Sequence, residues 1–137
     1  MKVFLDANVI LDFLTDRQPF ADAAEAVVDF CAAAGNVGKI TTLTACNVLY
    51  VLAKIIGRQA AEEKIKELID IVGLVGVDPD SVSGNLAKPH VDFEDSVQLS
   101  EAIKWNAEVI VTRDKNGFSG SPIPVCSPTD FVSKFMA

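Results

Sequence analysis

A chain of 137 residues, half of them hydrophobic, can bury roughly two-thirds of its unfolded surface and is read as one domain, 1–137, that folds alone. Its net charge of −7 argues against nucleic-acid binding through a general basic surface, yet leaves room for a small site in which carboxylates gather around a cation. No apolar run approaches the roughly 18 residues of a membrane span, and Asp6 and Asp12 interrupt the first apolar stretch, so a soluble cytoplasmic protein is expected.

The first fourteen residues, MKVFLDANVILDFL, organise the rest. Val3-Phe-Leu5 is a short apolar run bounded by charge, as in a strand buried on both faces of a parallel sheet. It ends on Asp6, and from Val9 to Leu14 the apolar residues fall at helical spacing. Asp6 therefore sits where a strand gives way to a helix, either as the cap of that helix or as a catalytic group at the carboxyl edge of a sheet. A polar connection follows, and Pro19 is read in the first turn of a helix over 20–34, with Ala24, Val27, Val28 and Cys31 inward and Gly35 as its C-terminal cap. Residues 39–43 read as a strand. Thr44 then caps a helix to residue 56 with Val48, Val51, Leu52 and Ile55 on one face. Asn47 lies near that face, where an amide needs partners.

After Gly57, residues 59–72 make another helix with Ile65, Leu68, Ile69 and Val72 inward, and 74–77 is the next strand. A turn at Asp78-Pro-Asp-Ser81 leads into a short helical segment beginning at Asp80 or Ser81, and Lys88-Pro-His90 is loop. Asp92 caps a helix reaching about residue 105; Asp95, Leu99, Ala102 and Ile103 fall at i, i+4, i+7 and i+8, which puts Asp95 at the polar end of the buried stripe, facing the sheet edge. Residues 108–112 are a strand, 113–117 a polar loop with Phe118 as its anchor, 123–126 a last strand, and Ser127-Pro-Thr-Asp130 opens a C-terminal helix. Strands alternating with helices indicate an α/β fold, with five parallel strands covered on both faces.

The three cysteines, Cys31, Cys46 and Cys126, are odd in number and far apart, so they suggest neither a disulfide framework nor a zinc site and are read as buried thiols. His90, the only histidine, excludes multi-histidine metal centres and is read as a loop residue. Asp12, Asp16, Asp70 and Asp80 are read as solvent-facing or turn residues. The remaining candidates converge on one edge. In a parallel sheet the carboxyl ends of the strands lie together, so Asp6, Asn47, Asp95 and Asp114, far apart in sequence, are brought toward one place. Carboxylate oxygens suit Mg²⁺, which activates water and offsets charge at a phosphodiester.

These residues carry a resemblance. The stretches Val3-Phe-Leu-Asp6-Ala-Asn8-Val-Ile10, Thr44-Ala-Cys-Asn47, Asp92-Phe-Glu-Asp95 and Val111-Thr-Arg-Asp114 through Phe118, in that order and spacing, resemble the PIN domain family, especially the branch of VapC-like toxin ribonucleases and their relatives. The resemblance covers almost the whole chain and implies a Rossmann-like five-stranded parallel sheet with Mg²⁺- or Mn²⁺-dependent cleavage of RNA. It makes Asp6, Asp95 and Asp114 the catalytic metal ligands, with Asn8 and Thr44 supporting them by hydrogen bonds. Many members place Glu where this chain has Asn47, and a subgroup has Asn; an amide oxygen ligates a hard cation without bringing charge, so Asn47 is read as orienting the site and Asp92 as a candidate for the missing charge. Arg113 and Lys115 flank Asp114 as candidate RNA contacts, with Lys54 and Arg58 as part of a rim. The toxin branch further implies an antitoxin partner occupying the site and a homodimer built from apolar helix faces.

Other classes fit less well. Haloacid-dehalogenase-like phosphatases carry a second Asp two residues after the first, where this chain has Asn8, and receiver domains need a Lys after the last strand that is not evident here. The non-enzyme alternative is a PIN-like module that binds RNA or a protein partner without cleaving.

Overall fold

The computed structural model describes residues 1–88 and 92–136. Pro89 and His90, read above as loop, lie outside the described residues. In chain order the elements are β1 (Lys2–Leu5), α1 (Ala7–Leu14), α2 (Ala21–Ala32), β2 (Val37–Thr41), α3 (Thr42–Ile56), α4 (Arg58–Ile71), β3 (Gly73–Val75), α5 (Pro79–Leu86), α6 (Phe93–Trp105), β4 (Val109–Val111), a 3₁₀ turn (Lys115–Phe118), β5 (Val125–Cys126) and α7 (Pro128–Phe135). The five strands form one sheet in the order β3-β2-β1-β4-β5, and every pairing is parallel. The α/β architecture and the strand count agree with the sequence.

The central strand explains why the sheet is buried on both faces. Val3, Phe4 and Leu5 are all inaccessible to solvent, and their side chains alternate between two cores. Val3 and Leu5 join Val109 and Val111 of β4 against α1, α2, α3, α4 and α7, while Phe4 and Ile110 pack on the other face with Ala102 and Phe118. Each such fully buried Val, Leu, Ile or Phe contributes about 1.5–3 kcal/mol by leaving water. The Phe118 anchor is thus part of the second core.

Order and direction fix where a site can form. From β1 the chain moves outward to β2 and β3, then returns to the other side of β1 with β4 and β5. The strand order reverses between β1 and β4, and in open parallel sheets the crevice beyond the carboxyl ends at that point is where ligands bind. Asp6 immediately follows β1, and Thr112-Arg113-Asp114 immediately follow β4.

Several local expectations change. β2 runs over Val37–Thr41, and Thr41, extended at φ −78° and ψ 159°, caps α3 in place of Thr44 by accepting a hydrogen bond from the Thr44 N–H. Pro19 follows a cis peptide and precedes α2, which begins at Ala21. Gly35, at φ +88°, turns the chain after α2 has ended at Ala32. α5 starts at Pro79 because Asp78 is its cap.

The apolar stripes also shift. On α3, Val48 and Leu52 are buried, but Val51 is 39% and Ile55 61% exposed, beside Tyr50 at 64%. Ile69 of α4 and Ile103 of α6 are exposed as well. α6 instead buries Val97, Gln98, Glu101 and Ala102, since its polar members meet partners: Gln98 bonds the Thr41–Thr44 pair, and Glu101 accepts from Ser81 of α5.

Candidate active site at the sheet switch point

Asp6 caps α1 and also faces the junction of β1 and β4. One carboxylate oxygen accepts from the Ala7 N–H at 2.8 Å and starts α1; the other accepts from the Thr112 hydroxyl at 2.8 Å and lies 3.4 Å from Asn8 Nδ2. Thr112 joins the carboxyl ends of β1 and β4: its hydroxyl also accepts from Asn8 Nδ2 at 3.2 Å and from the Asp114 N–H at 3.0 Å. Asn8 completes the junction by accepting the Arg113 N–H at 3.1 Å. Burial pushes the Asp6 carboxyl above its usual range; the Thr112 and Ala7 hydrogen bonds oppose this, and Asp114 and Asp92 add to it.

Asp95 reaches the same edge from the first turn of α6. Its backbone N–H is capped by the Asp92 carboxylate at 3.0 Å, and its side chain lies on the 3₁₀ turn, where a β-carbon at position 117 would overlap Asp95 Oδ2 and stand 2.8 Å from its Cγ. Only glycine leaves that carboxylate its place. Burial, then the charges of Asp6, Asp92, Asp114 and Glu94, push the Asp95 carboxyl up to about 7. Asp114 itself is exposed at the rim.

Asn47 is half-buried and donates from Nδ2 to Glu94 Oε1 at 3.0 Å. Its amide thus finds its partner on α6, and Glu94 brings a carboxylate to the side of the site where α3 carries none. Thr44 is fully buried and touches no acid; its hydroxyl accepts from Gln98 Nε2 at 2.8 Å, and through Gln98 it ties α3 and β2 to the helix that carries Asp95. Asp92 serves as the α6 cap and remains exposed next to Asp95.

The cations are engaged elsewhere. Arg113 donates from Nε and Nη2 to the two oxygens of Asp12, at 2.5 and 3.2 Å, and its guanidinium carbon lies 4.0 Å from the centre of the Phe20 ring. Asp12 is therefore fully buried, which corrects its reading as a solvent-facing residue: a one-turn-on position of α1 faces β4, and Arg113 neutralises it there. Lys115 pairs with Asp130 of α7, Arg58 with Glu62, and Lys54 lies over Tyr50. Of the cysteines, Cys31 is buried and its thiol is pushed up to about 12 by that burial, whereas Cys46 is exposed, against expectation, because it falls on the outward side of α3.

Thr112, Glu94, Gln98 and Gly117 were not singled out as site residues. Thr112 had a signal, a hydroxyl residue directly after a buried strand and two before an acid. Glu94 adjoins Asp95 in sequence but reads as a first-turn acid complementing the helix dipole. Gln98 and Gly117 gave none, since their roles depend on tertiary approach.

The donor set can be tested against a metal ion. As placed, no three His, Cys, Asp or Glu residues among the described ones close on a common point. The fit lies in their chemistry: the neighbouring carboxylates raise the cost of ionising Asp6 and Asp95, and among the described residues no ion pair brings a cation to either of them. Hard oxygens in that state match Mg²⁺ or Mn²⁺.

Comparison with known proteins gives the fold a lineage. The chain superposes on VapBC2 from Rickettsia felis, solved bound to a DNA fragment from its promoter, with a TM-score of 0.71 and 16% identity over 93% of this chain and 98% of that one. For VapBC-1 of nontypeable Haemophilus influenzae the TM-score is 0.70 at 17% identity over 94% and 99%. For VapC20 of Mycobacterium tuberculosis, described as a toxin that cleaves the sarcin-ricin loop, it is 0.69 at 14% identity over 88% and 95%. No curated protein matches. A PIN domain family model matches residues 2–116, the span that holds every acid of the switch-point cluster, and the chain belongs to the PIN domain family.

Proposed function

We propose that this protein is a metal-dependent endoribonuclease, acting in the cytoplasm as the toxin of a toxin-antitoxin pair. The observation that carries the reading is that Asp114, Asp92 and Glu94 act with Asp6 on the Asp95 carboxyl beyond the carboxyl ends of β1 and β4, with no cation of the described residues paired to Asp6 or Asp95. Asp6, Asp95 and Asp114 would hold Mg²⁺ or Mn²⁺. When bound, such an ion supplies a water of lowered pKa and offsets charge building on the phosphate.

The protein's own residues do the remainder. Thr112 and Asn8 fix the orientation of the Asp6 carboxylate, so it presents a defined lone pair to the crevice. Gly117 gives Asp95 its room, and Asn47 holds Glu94 toward the site.

An antitoxin partner is part of the reading, supported by a solved neighbour described as a toxin-antitoxin complex from Klebsiella pneumoniae. A homodimer is proposed through the exposed apolar residues of α3, Tyr50, Val51 and Ile55. Among the described residues no helix is long and apolar enough to cross a membrane.

The test is cleavage of single-stranded and hairpin RNAs by the purified protein in Mn²⁺ or Mg²⁺, with chelator and an Asp6→Asn variant as controls. Cleavage that needs the ion and is lost in the variant supports the ribonuclease. Equal traces from both proteins, both folded, would contradict it and favour a module that binds RNA or protein without cutting.

A further inference from the structure

Beside the acid cluster, on the far side of Arg113, is a cavity of about 420 Å³. Pro19, Phe20 and Ala23 line one side, Ser127 and Thr129 the other, and Arg113 joins them. Its volume falls within the range of small-ligand sites, and apolar walls with a few convergent polar groups are their usual make-up. It connects to the acids through one residue: the Arg113 N–H bonds Asn8, whose amide reaches Asp6.

The state of Arg113 narrows what the cavity can take. The side-on edge of its guanidinium, Nε with one Nη2 hydrogen, is engaged by the fully buried Asp12. The end-on edge, Nη1 with the second Nη2 hydrogen, has no partner among the described residues, the paired contact with Asp12 sets the plane, and the Phe20 ring lies against it. The ion pair is neutral as a unit, so it offers little net attraction to a free phosphate. It offers two parallel N–H donors in a fixed plane, the complement of two acceptors on one edge of a flat neutral group. Guanine presents that edge with O6 and N7, and among the bases it is the one an arginine reads in this way. Ser127 and Thr129, whose hydroxyls stand 3.2 Å apart at the opening of α7, add polar contacts at the rim.

We infer that this cavity is a nucleobase subsite that receives one unpaired guanine and so selects where the adjoining phosphodiester meets the acids. Single-stranded RNA is read in this manner, by splayed bases set against apolar or aromatic walls and hydrogen-bonded on their edges. The inference rests on the ribonuclease reading for the polymer, but the pocket is tested without cleavage.

The experiment is a titration of the full chain, in chelator, with GMP, AMP, CMP, UMP and inorganic phosphate, followed by amide and arginine side-chain NMR shifts. GMP should bind roughly tenfold or more tightly than the other nucleotides, as a bidentate arginine contact warrants, with shifts centred on Arg113, Ala23 and Thr129 and none from phosphate. Ala23→Trp, which fills the cavity while keeping both members of the Asp12–Arg113 pair, should abolish binding. Arg113→Lys keeps a positive charge for Asp12 but loses the planar edge, and should remove the preference for GMP. Equal affinity for all four nucleotides, shifts elsewhere, or GMP binding retained in folded Ala23→Trp would each overturn the inference. Because no metal or cleavage enters, these outcomes are separate from those of the RNA assay.

Discussion

At Asp95 stability meets the proposed function most directly. Its carboxyl is pushed from 3.8 to about 7 by burial and by the acids around it, so the metal-free fold keeps a proton that the unfolded chain releases. Across roughly pH 4 to 7 the folded state binds more protons than the unfolded one, and stability falls as pH rises through that window before levelling off. Asp95→Asn removes this contribution, while the similarly directed shift of Asp6 remains in both proteins. In chelator, the melting temperature of Asp95→Asn relative to wild type should therefore climb between pH 5 and pH 8, and saturating Mn²⁺, which favours the ionised carboxylate, should reverse the difference. A constant difference at every pH would contradict the assignment. At this scale the sequence was legible where a residue's role is local: Asp6 after a strand and Asp92 before a helix both do what their positions suggest. Asp12 was not legible. Its partner Arg113 lies 101 residues away, and nothing in the helical pattern of α1 marks an aspartate as the one turned toward a distant guanidinium.

Between elements, two glycines set distances that no periodicity reveals. Gly38 of β2 lies under α2, where a β-carbon would stand 2.6 Å from Cys31 Sγ and 2.8 Å from its Cβ, both held in the core. Gly38→Ala should destabilise the fold by about 1–3 kcal/mol, as overpacking of a filled core does, measured by urea unfolding. Gly117→Ala differs in kind, because the atoms it would displace are the free end of the Asp95 side chain. It should leave urea stability closer to wild type than Gly38→Ala while lowering metal-dependent cleavage by roughly 100-fold, the cost of misplacing a reacting group by about an ångström. Equal loss of stability and activity in the two variants would contradict the distinction. Element type and order were readable because apolar spacing and caps declare themselves locally. The inward faces of α3 and α6 were read less well: Val51, Ile55 and Ile103 look like core by spacing, while the buried positions of α6 include Gln98 and Glu101, whose burial depends on partners on β2, α3 and α5.

Over the whole molecule, topology brings scattered acids to one edge of the sheet. Reversal of strand order between β1 and β4 brings Asp6 and Asp114 together, and α6, packed on the second face, adds Asp95, Asp92 and Glu94. Part of the net charge of −7 thus lies beside Asp95, while Arg113 and Lys115 pair with Asp12 and Asp130 instead. That arrangement is unfavourable alone, and in the proposed function a divalent ion offsets it. Convergence at the sheet edge was legible from strand–helix alternation. The contribution of Glu94 through Asn47 was not, because it depends on the approach of α3 to α6. The most direct measurement is a titration of the metal-free protein with Mn²⁺, following loss of the free-ion signal by electron paramagnetic resonance, for wild type, Asp6→Asn, Asp95→Asn and the exposed control Asp70→Asn. Saturable binding in wild type and the control, weakened at least tenfold in the two site variants, is the predicted result. Binding that does not saturate, or that is unchanged in Asp6→Asn and Asp95→Asn, would contradict a cation site at the switch point.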